Sequence, residues 1–181
     1  MAATADVLAD AGYDGLTIEE VATRAGVHRT TVYRRWPTKA ELVGDALRAR
    51  SDARVPVPDT GTLDGDLRAL ARSVVANIGS RAGRSMTRTL VAAAATNDHV
   101  AAATVAFWRE RLALTGAIVE RAIARGELAV GTDSALLIET LIGAFYVRLL
   151  LTGEPINRAV ADHVAGVVAA GALSSWARPR S

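Results

Sequence analysis

Apolar side chains recur along this chain at intervals of three and four residues, and the points where that rhythm stops delimit its elements. Ile18, Val21, Ala22 and Ala25 stand at i, i+3, i+4 and i+7, one stripe of a short helix. Thr17 and Glu20 form a capping box before it, in which each side chain satisfies the other's backbone N–H, and Leu16 and Val21 occupy the positions of a hydrophobic staple. Gly26 ends the helix. A second short helix is predicted from Arg29 to Trp36, with Val27, Val32 and Trp36 facing inward, because Pro37 disfavours helical geometry at the residue before it. A third starts at Thr38, again with a Glu three residues on (Glu41), and carries Leu42, Val43, Ala46 and Leu47. Ahead of these, Val7, Leu8 and Ala11 mark a first helix ending at Gly12.

The run VPVPDTGT, Val55 to Thr62, is a connector by its two prolines and its Asp-Thr-Gly turn. Beyond it the apolar pattern predicts longer helices: Leu63 to about Ser80, Ser85 to Ala95, Asp98 to Arg125, Asp133 to Thr152 and Ile156 to about Ser174. No period of solenoid length repeats through this half. The expectation is an all-α protein with a helical domain over residues 1–54 and a larger helical domain over 55–181.

Composition narrows the class. Alanine is the commonest residue and only eight residues are aromatic, which favours closely packed helices over a β-sandwich. The absence of cysteine excludes disulfides, a thiolate nucleophile and Cys-based zinc sites, and fits a cytoplasmic protein. The longest uncharged stretch, His163 to Ala177, is shorter than a bilayer span, and Asp6 and Asp10 stand where a signal peptide would be basic, so no membrane partner is expected.

The net charge of +2 is uninformative until it is located. Between Val21 and Ala40 lie Arg24, Arg29, Arg34, Arg35 and Lys39 with no acidic residue, leaving 16 of the 21 basic side chains against all 19 acidic ones elsewhere. A basic window on two short helices joined by a Gly-containing turn is the pattern of a helix-turn-helix, whose second helix enters the major groove of DNA. His28, Arg29, Thr30, Thr31, Tyr33, Arg34 and Arg35 would be its exposed residues. Arg can fork to guanine, threonine methyls can touch thymine, and Tyr, Thr and Lys can bind phosphate oxygens. Lys39 is the only lysine, and at a helix N-terminus a cation opposes the dipole, which points to a phosphate partner.

The run TIEEVATRAGVHRTTVYRRWPTKAELV, Thr17 to Val43, and the preceding GYDG from Gly12 to Gly15, resemble the DNA-binding domain of TetR-family transcriptional regulators. The likeness rests on Ala25-Gly26-Val27 in the turn, Thr31 and Tyr33 in the recognition helix, the Trp36-Pro37 step and Lys39. It implies phosphate contact from Thr17, Tyr33, Arg35 and Lys39, and base reading from His28, Arg29, Thr30 and Thr31, with Arg34 suited to either. His28 stands where the family often has the better capping residue Ser, so His28 is expected to reach a base or phosphate, or to be simple drift. Trp36 replaces a more usual Phe and is expected in the core; a basic arm before the first helix, common in the family, is absent or missing here.

In the second half, residues 133–152 are apolar around nearly the whole circumference, so that helix must be covered on all sides. Residues 156–174 carry a stripe of Ile156, Val160, Val164, Val167, Val168 and Gly171 beside Ala161, Ala165 and Ala169, small enough for a close crossing. These two helices are expected to pair with their symmetry mates in a homodimer, as the resemblance also implies. The resemblance further implies an unknown small-molecule effector, for which Asn77, Met86, Thr104, Phe107, Trp108, Thr140 and Tyr146 are candidate lining residues. Arg81, Arg84 and Arg88 read as an exposed charge run. His28, His99 and His163 are far apart, and no catalytic or metal-binding motif occurs, so neither enzyme activity, a cofactor nor a metal is expected. The expected function is an effector-controlled regulator, a repressor, reading a pseudopalindromic operator; the alternative is a helical ligand- or protein-binding module whose DNA-binding domain has lost its function.

Overall fold

The computed structural model describes residues 1–176; Ala177, the end of the uncharged stretch, lies outside them. The described residues are helical with no strand. They form two compact units, residues 1–53 with 80–108 and residues 54–79 with 109–176 of the second.

The first unit contains α1 (Ala2–Gly15), α2 (Ile18–Ala25), α3 (Arg29–Arg35), most of α4 (Lys39–Arg54), α6 (Arg81–Ala94) and the beginning of α7 (Asp98–Ala124). Gly12 breaks α1 with φ 70° and ψ −176°, so the regular helix stops where the sequence predicts and three further residues turn towards Leu16. The core joins Val7 and Leu8 of α1, Leu16, Val21 of α2, Val32 of α3, and Leu42, Val43 and Ala46 of α4. Each of these valine and leucine side chains contributes about 1.5 to 3 kcal/mol by leaving water. Met86, Leu90 and Val100 belong to the same core, and the Ser85 hydroxyl donates to the Ala9 carbonyl at 3.2 Å. The chain thus leaves this unit near the expected boundary but returns to it at Ser80. The apolar stripe of α6 is visible in the sequence; which core it enters is not, because that depends on long-range packing.

The second unit contains α5 (Leu63–Gly79), the remainder of α7, α8 (Ser134–Val147) and α9 (Arg158–Trp176). Ala161, Ala165 and Ala169 are buried where α9 lies against α5 and α8. Arg68 of α5 donates to the Asp162 carbonyl at 2.9 Å, and Arg72 pairs with the Asp162 carboxylate at 2.5 Å. This corrects the expected use of the alanines: they serve a close crossing within the chain, while Val167, on the opposite side of α9, remains 60% exposed. The connector is also held more firmly than its composition suggests. Arg111 donates to the Val55 carbonyl at 2.7 Å, Arg121 donates to the Pro58 carbonyl, and the fully buried Asp66 accepts from the Thr60 backbone N–H at 2.6 Å.

The predicted helix 133–152 is not uniform. Asp133 caps α8 by accepting from the Leu136 N–H at 3.0 Å, but after Val147 the last turn widens into π geometry over Arg148–Thr152. The Gly153 N–H donates to the Arg148 carbonyl at 2.9 Å, and Gly153 takes φ 72°, a conformation that suits glycine. Nor is the circumference covered within the chain. Leu137, Ile138, Leu141, Ile142, Phe145 and Leu149 point inward, whereas Leu136, Val147 and Leu151 are 55, 47 and 80% exposed. By length and composition Ser134–Thr152 is apolar enough to cross a bilayer, at mean hydropathy 1.7, because its two charged residues, Glu139 and Arg148, are diluted by leucines. Its inward face is nevertheless packed in the second unit.

Candidate nucleic-acid interface

The turn between α2 and α3 is built by backbone chemistry that the sequence announces. Thr17 caps α2, its hydroxyl accepting from the Glu20 N–H at 3.2 Å. The reciprocal half of the expected capping box is replaced: the Glu20 carboxylate accepts instead from Arg24 at 3.1 Å. Gly26 closes the helix with φ 67°, and the Val27 N–H donates back to the Ala22 carbonyl at 3.0 Å. A complete capping box does form at α4, where the Thr38 N–H donates to Glu41 at 3.0 Å and the Glu41 N–H to the Thr38 hydroxyl at 3.2 Å.

Val32 is the one buried residue of α3. Arg29, Thr30, Thr31, Tyr33, Arg34 and Arg35 are all exposed, so the candidate base- and phosphate-binding residues share the outer surface of one helix. Val27, expected inward, is instead 44% exposed, because the left-handed Gly26 carries the chain outward before α3 begins. Trp36 is half-buried; its indole N–H donates to Asp45 at 2.8 Å, and the Arg35 guanidinium lies 4.9 Å from its ring centroid. The same N–H and the Arg48 guanidinium hold the Asp45 carboxyl below the ordinary carboxylate range.

His28 has a local role that the resemblance did not suggest. It is the N-cap of α3, with Nδ1 accepting from the Thr30 N–H at 3.5 Å and lying 2.9 Å from the Thr30 hydroxyl. A backbone N–H can only donate, so Nδ1 is the acceptor nitrogen and Nε2 carries the proton. His28 thereby replaces the usual serine cap while leaving an N–H donor at the tip of the ring.

Two candidate phosphate ligands have partners within the protein. The Tyr33 hydroxyl donates to Glu19 at 3.1 Å, and this bond raises the phenol's pKa. The Lys39 ammonium donates to the Tyr13 and Asp14 carbonyls at 2.7 and 3.4 Å and lies 4.4 Å from the Tyr13 ring centroid. Those carbonyls are at the end of α1, where acceptors lack intrahelical donors. The cation at the start of α4, where it opposes the helix dipole, is thus also a cap on the end of α1. Arg24 is likewise engaged, with Asp10 at 2.6 Å. Neither Glu19, Asp10 nor Asp45 was signalled by spacing, since each reaches its partner across a helix junction.

The candidate effector residues fall in both units. Met86 is in the hydrophobic cluster of the first unit, where Phe107 is also buried, its ring 5.4 Å from that of Trp108 in an edge-to-face contact. The Thr104 hydroxyl donates to the Val100 carbonyl of its own helix. In the second unit Thr140 is exposed and donates to Leu136, which puts it on the outward stripe of α8. Tyr146 is half-buried, and its pKa is pushed well up by burial, opposed by the nearby Arg111. Asn77 lies on α5 with its side-chain oxygen buried. Among the described residues no group of three or more His, Cys, Asp or Glu side chains could hold a metal ion.

Residues 1–46 match the family model described as bacterial regulatory proteins, tetR family, and residues 57–168 match the tetracyclin repressor-like C-terminal domain. The HTH-type transcriptional regulator AqdR of Rhodococcus erythropolis is 32% identical over 169 residues, covering 93% of this chain and 81% of that protein. The DNA-binding transcriptional repressor TetR of Mycobacteroides abscessus is 32% identical over 170 residues, covering 88% of this chain and 84% of that one. The solved structure of the TetR family transcription regulator SCO0332 is 30% identical, covers 93% of each chain and superposes with a TM-score of 0.77. With an exposed basic recognition helix held by a helix-turn-helix, and both halves matching one family, the chain belongs to the TetR family of DNA-binding transcriptional regulators.

Proposed function

We propose that this regulator is a homodimeric repressor that reads a pseudopalindromic operator with two copies of α3 and releases it when a small molecule binds. The observation that carries the reading is the division of α3, with Val32 alone anchoring it inward and its arginines and threonines turned outward. His28, Arg29, Thr30 and Thr31 then contact base edges, Thr17, Tyr33, Arg35 and Lys39 contact phosphates, and Arg34 serves either. Two such helices about 34 to 36 Å apart fit successive major grooves. Repression is proposed by analogy with the similar DNA-binding transcriptional repressor TetR of M. abscessus.

Dimerisation is supported by the outward apolar stripe of Leu136, Val147 and Leu151 along residues 133–152 and by the exposed Val167 of α9. Exposed aliphatic residues in that number, on helices otherwise well packed, call for a second apolar surface. Effector binding is assigned to the second unit, where the buried Arg111 and the half-buried Tyr146 provide polar groups close enough to interact electrostatically. A ligand favouring one conformation would shift the operator affinity by a coupling of about 1 to 3 kcal/mol.

Selection of bound sequences from a random DNA pool tests the reading. A twofold-symmetric enriched site is expected; no enrichment would refute operator reading and favour the binding-module alternative. Light scattering at micromolar concentration should give twice the mass of the 18.9 kDa chain, and a monomer would remove the dimer from the proposal.

A further inference from the structure

We infer that Glu19 restrains the DNA-binding face: its carboxylate holds the Tyr33 hydroxyl proton that a DNA phosphate would take, and its uncompensated charge opposes the DNA backbone. The inference rests on Tyr33 being a phosphate ligand, as proposed above.

Three observations lead to it. Tyr33 is 43% exposed on α3, yet its hydroxyl is engaged with Glu19 Oε1 at 3.1 Å. A phenol has one hydrogen, and a phosphate oxygen can only accept it, so contact with DNA exchanges one anionic acceptor for another. Glu19 and Glu20 are adjacent in the first turn of α2, but they are treated differently. Glu20 pairs with Arg24 at 3.1 Å, a guanidinium it shares with Asp10, whereas among the described residues no arginine or lysine pairs with Glu19. The carboxylate that contacts the recognition helix is therefore the one without a cationic partner, beside a surface built to meet a polyanion. Position in the helix accounts for an acidic residue at either site, since both favour the dipole; it does not account for the uncompensated one contacting Tyr33.

Because phosphate contacts carry no sequence information, the restraint acts on every DNA sequence alike. Its effect is to keep affinity low enough for release from non-cognate DNA and for a modest effector coupling to empty the operator.

Glu19→Gln keeps the side-chain length and an oxygen acceptor while removing the charge. It should tighten binding about three- to tenfold, the difference between a charge-assisted and a neutral hydrogen bond combined with a screened like-charge repulsion. The probes are a short fluorescein-labelled duplex of random sequence and a duplex enriched from the random pool, titrated by anisotropy with the full chain. Both should tighten by the same factor, and in a Tyr33→Phe background the gain should shrink to the part due to like-charge repulsion. Circular dichroism should show the Glu19→Gln unfolding midpoint little changed, separating the effect from loss of structure. Weaker binding by Glu19→Gln would make Glu19 a brace for Tyr33 and overturn the inference, as would an equal gain with and without the Tyr33 hydroxyl. If Tyr33→Phe leaves affinity unaltered in the Glu19→Gln background while Arg29→Ala weakens it, the inference fails but DNA reading by α3 stands. If the unsubstituted chain binds neither duplex, the proposed function itself fails.

Discussion

Lys39→Met separates the two roles assigned to one ammonium group. The methionine keeps an unbranched apolar stem and removes the charge, so the hydrogen bonds to the Tyr13 and Asp14 carbonyls and the contact with the Tyr13 ring are lost together. A hydrogen bond from a charged donor is worth about 1.5 to 3 kcal/mol and a partly exposed cation–π contact about 0.5 to 1 kcal/mol. The site is half-exposed, which discounts both, and removing a cation from the start of α4 returns a few tenths of a kcal/mol through the helix dipole. The expected net loss is about 1 to 2 kcal/mol, each kcal/mol lowering Tm by about 2 to 4 °C for a chain of this length. Urea denaturation without DNA reads this directly, and a loss below about 0.5 kcal/mol would refute the tether between α4 and the end of α1. The second role is read on DNA. An ammonium has three hydrogens and the carbonyls use two, so the third is able to meet a phosphate. In that case Lys39→Met reduces the slope of log affinity against log salt by about 0.9. A large stability loss with an unchanged slope would assign Lys39 to structure alone.

Other predictions concern the face of α3 and its support. Val32→Ala should destabilise by about 1.5 to 2.5 kcal/mol through lost burial and a small cavity, since Val32 is only 4% exposed; denaturant midpoints check this, and a negligible change would mean that α3 is held otherwise. Arg29→Ala should cost about 1 to 3 kcal/mol on the enriched operator and relax preference at one base pair, whereas equal loss on random DNA would remove Arg29 from base reading. The depressed Asp45 carboxyl contributes stability that is present above the unfolded-state value, about 4, and is lost as pH falls through the lower folded value, because the unfolded chain then binds the proton first. Asp45→Asn should therefore flatten the acid limb of the stability curve measured by denaturant midpoints across pH, and an unaltered limb would show that the Trp36 and Arg48 bonds to Asp45 are not maintained in solution.

The elements of the DNA-reading half were legible because their signals are local. A capping threonine, a glycine able to adopt φ 67° and a proline after Trp36 act on neighbouring backbone groups, and the structure places α2, α3 and α4 within a residue or so of the predicted ends. The basic window was equally plain, but its five charges are not equivalent. Arg24 is paired and Lys39 tethered, leaving Arg29, Arg34 and Arg35 as the outward cations of α3. Sequence spacing could not reveal this, since Asp10 and the end of α1 approach through the fold.

The alanine stripe of α9 shows the same limit from the side of packing. Its spacing alone determines that small residues share a helical face and that a close crossing is favoured. Whether the neighbour is α5 of the same chain or a helix of a second copy depends on how long-range burial is satisfied, and here α5 and α8 cover it. Helix type, caps, turn and the sign of the surface charge follow from interactions over three or four residues, so the amino-acid order determines them. Which core receives α6, which carboxylate meets Tyr33 and which apolar stripe remains exposed arise from contacts between residues distant in the chain, and only the tertiary structure decides them.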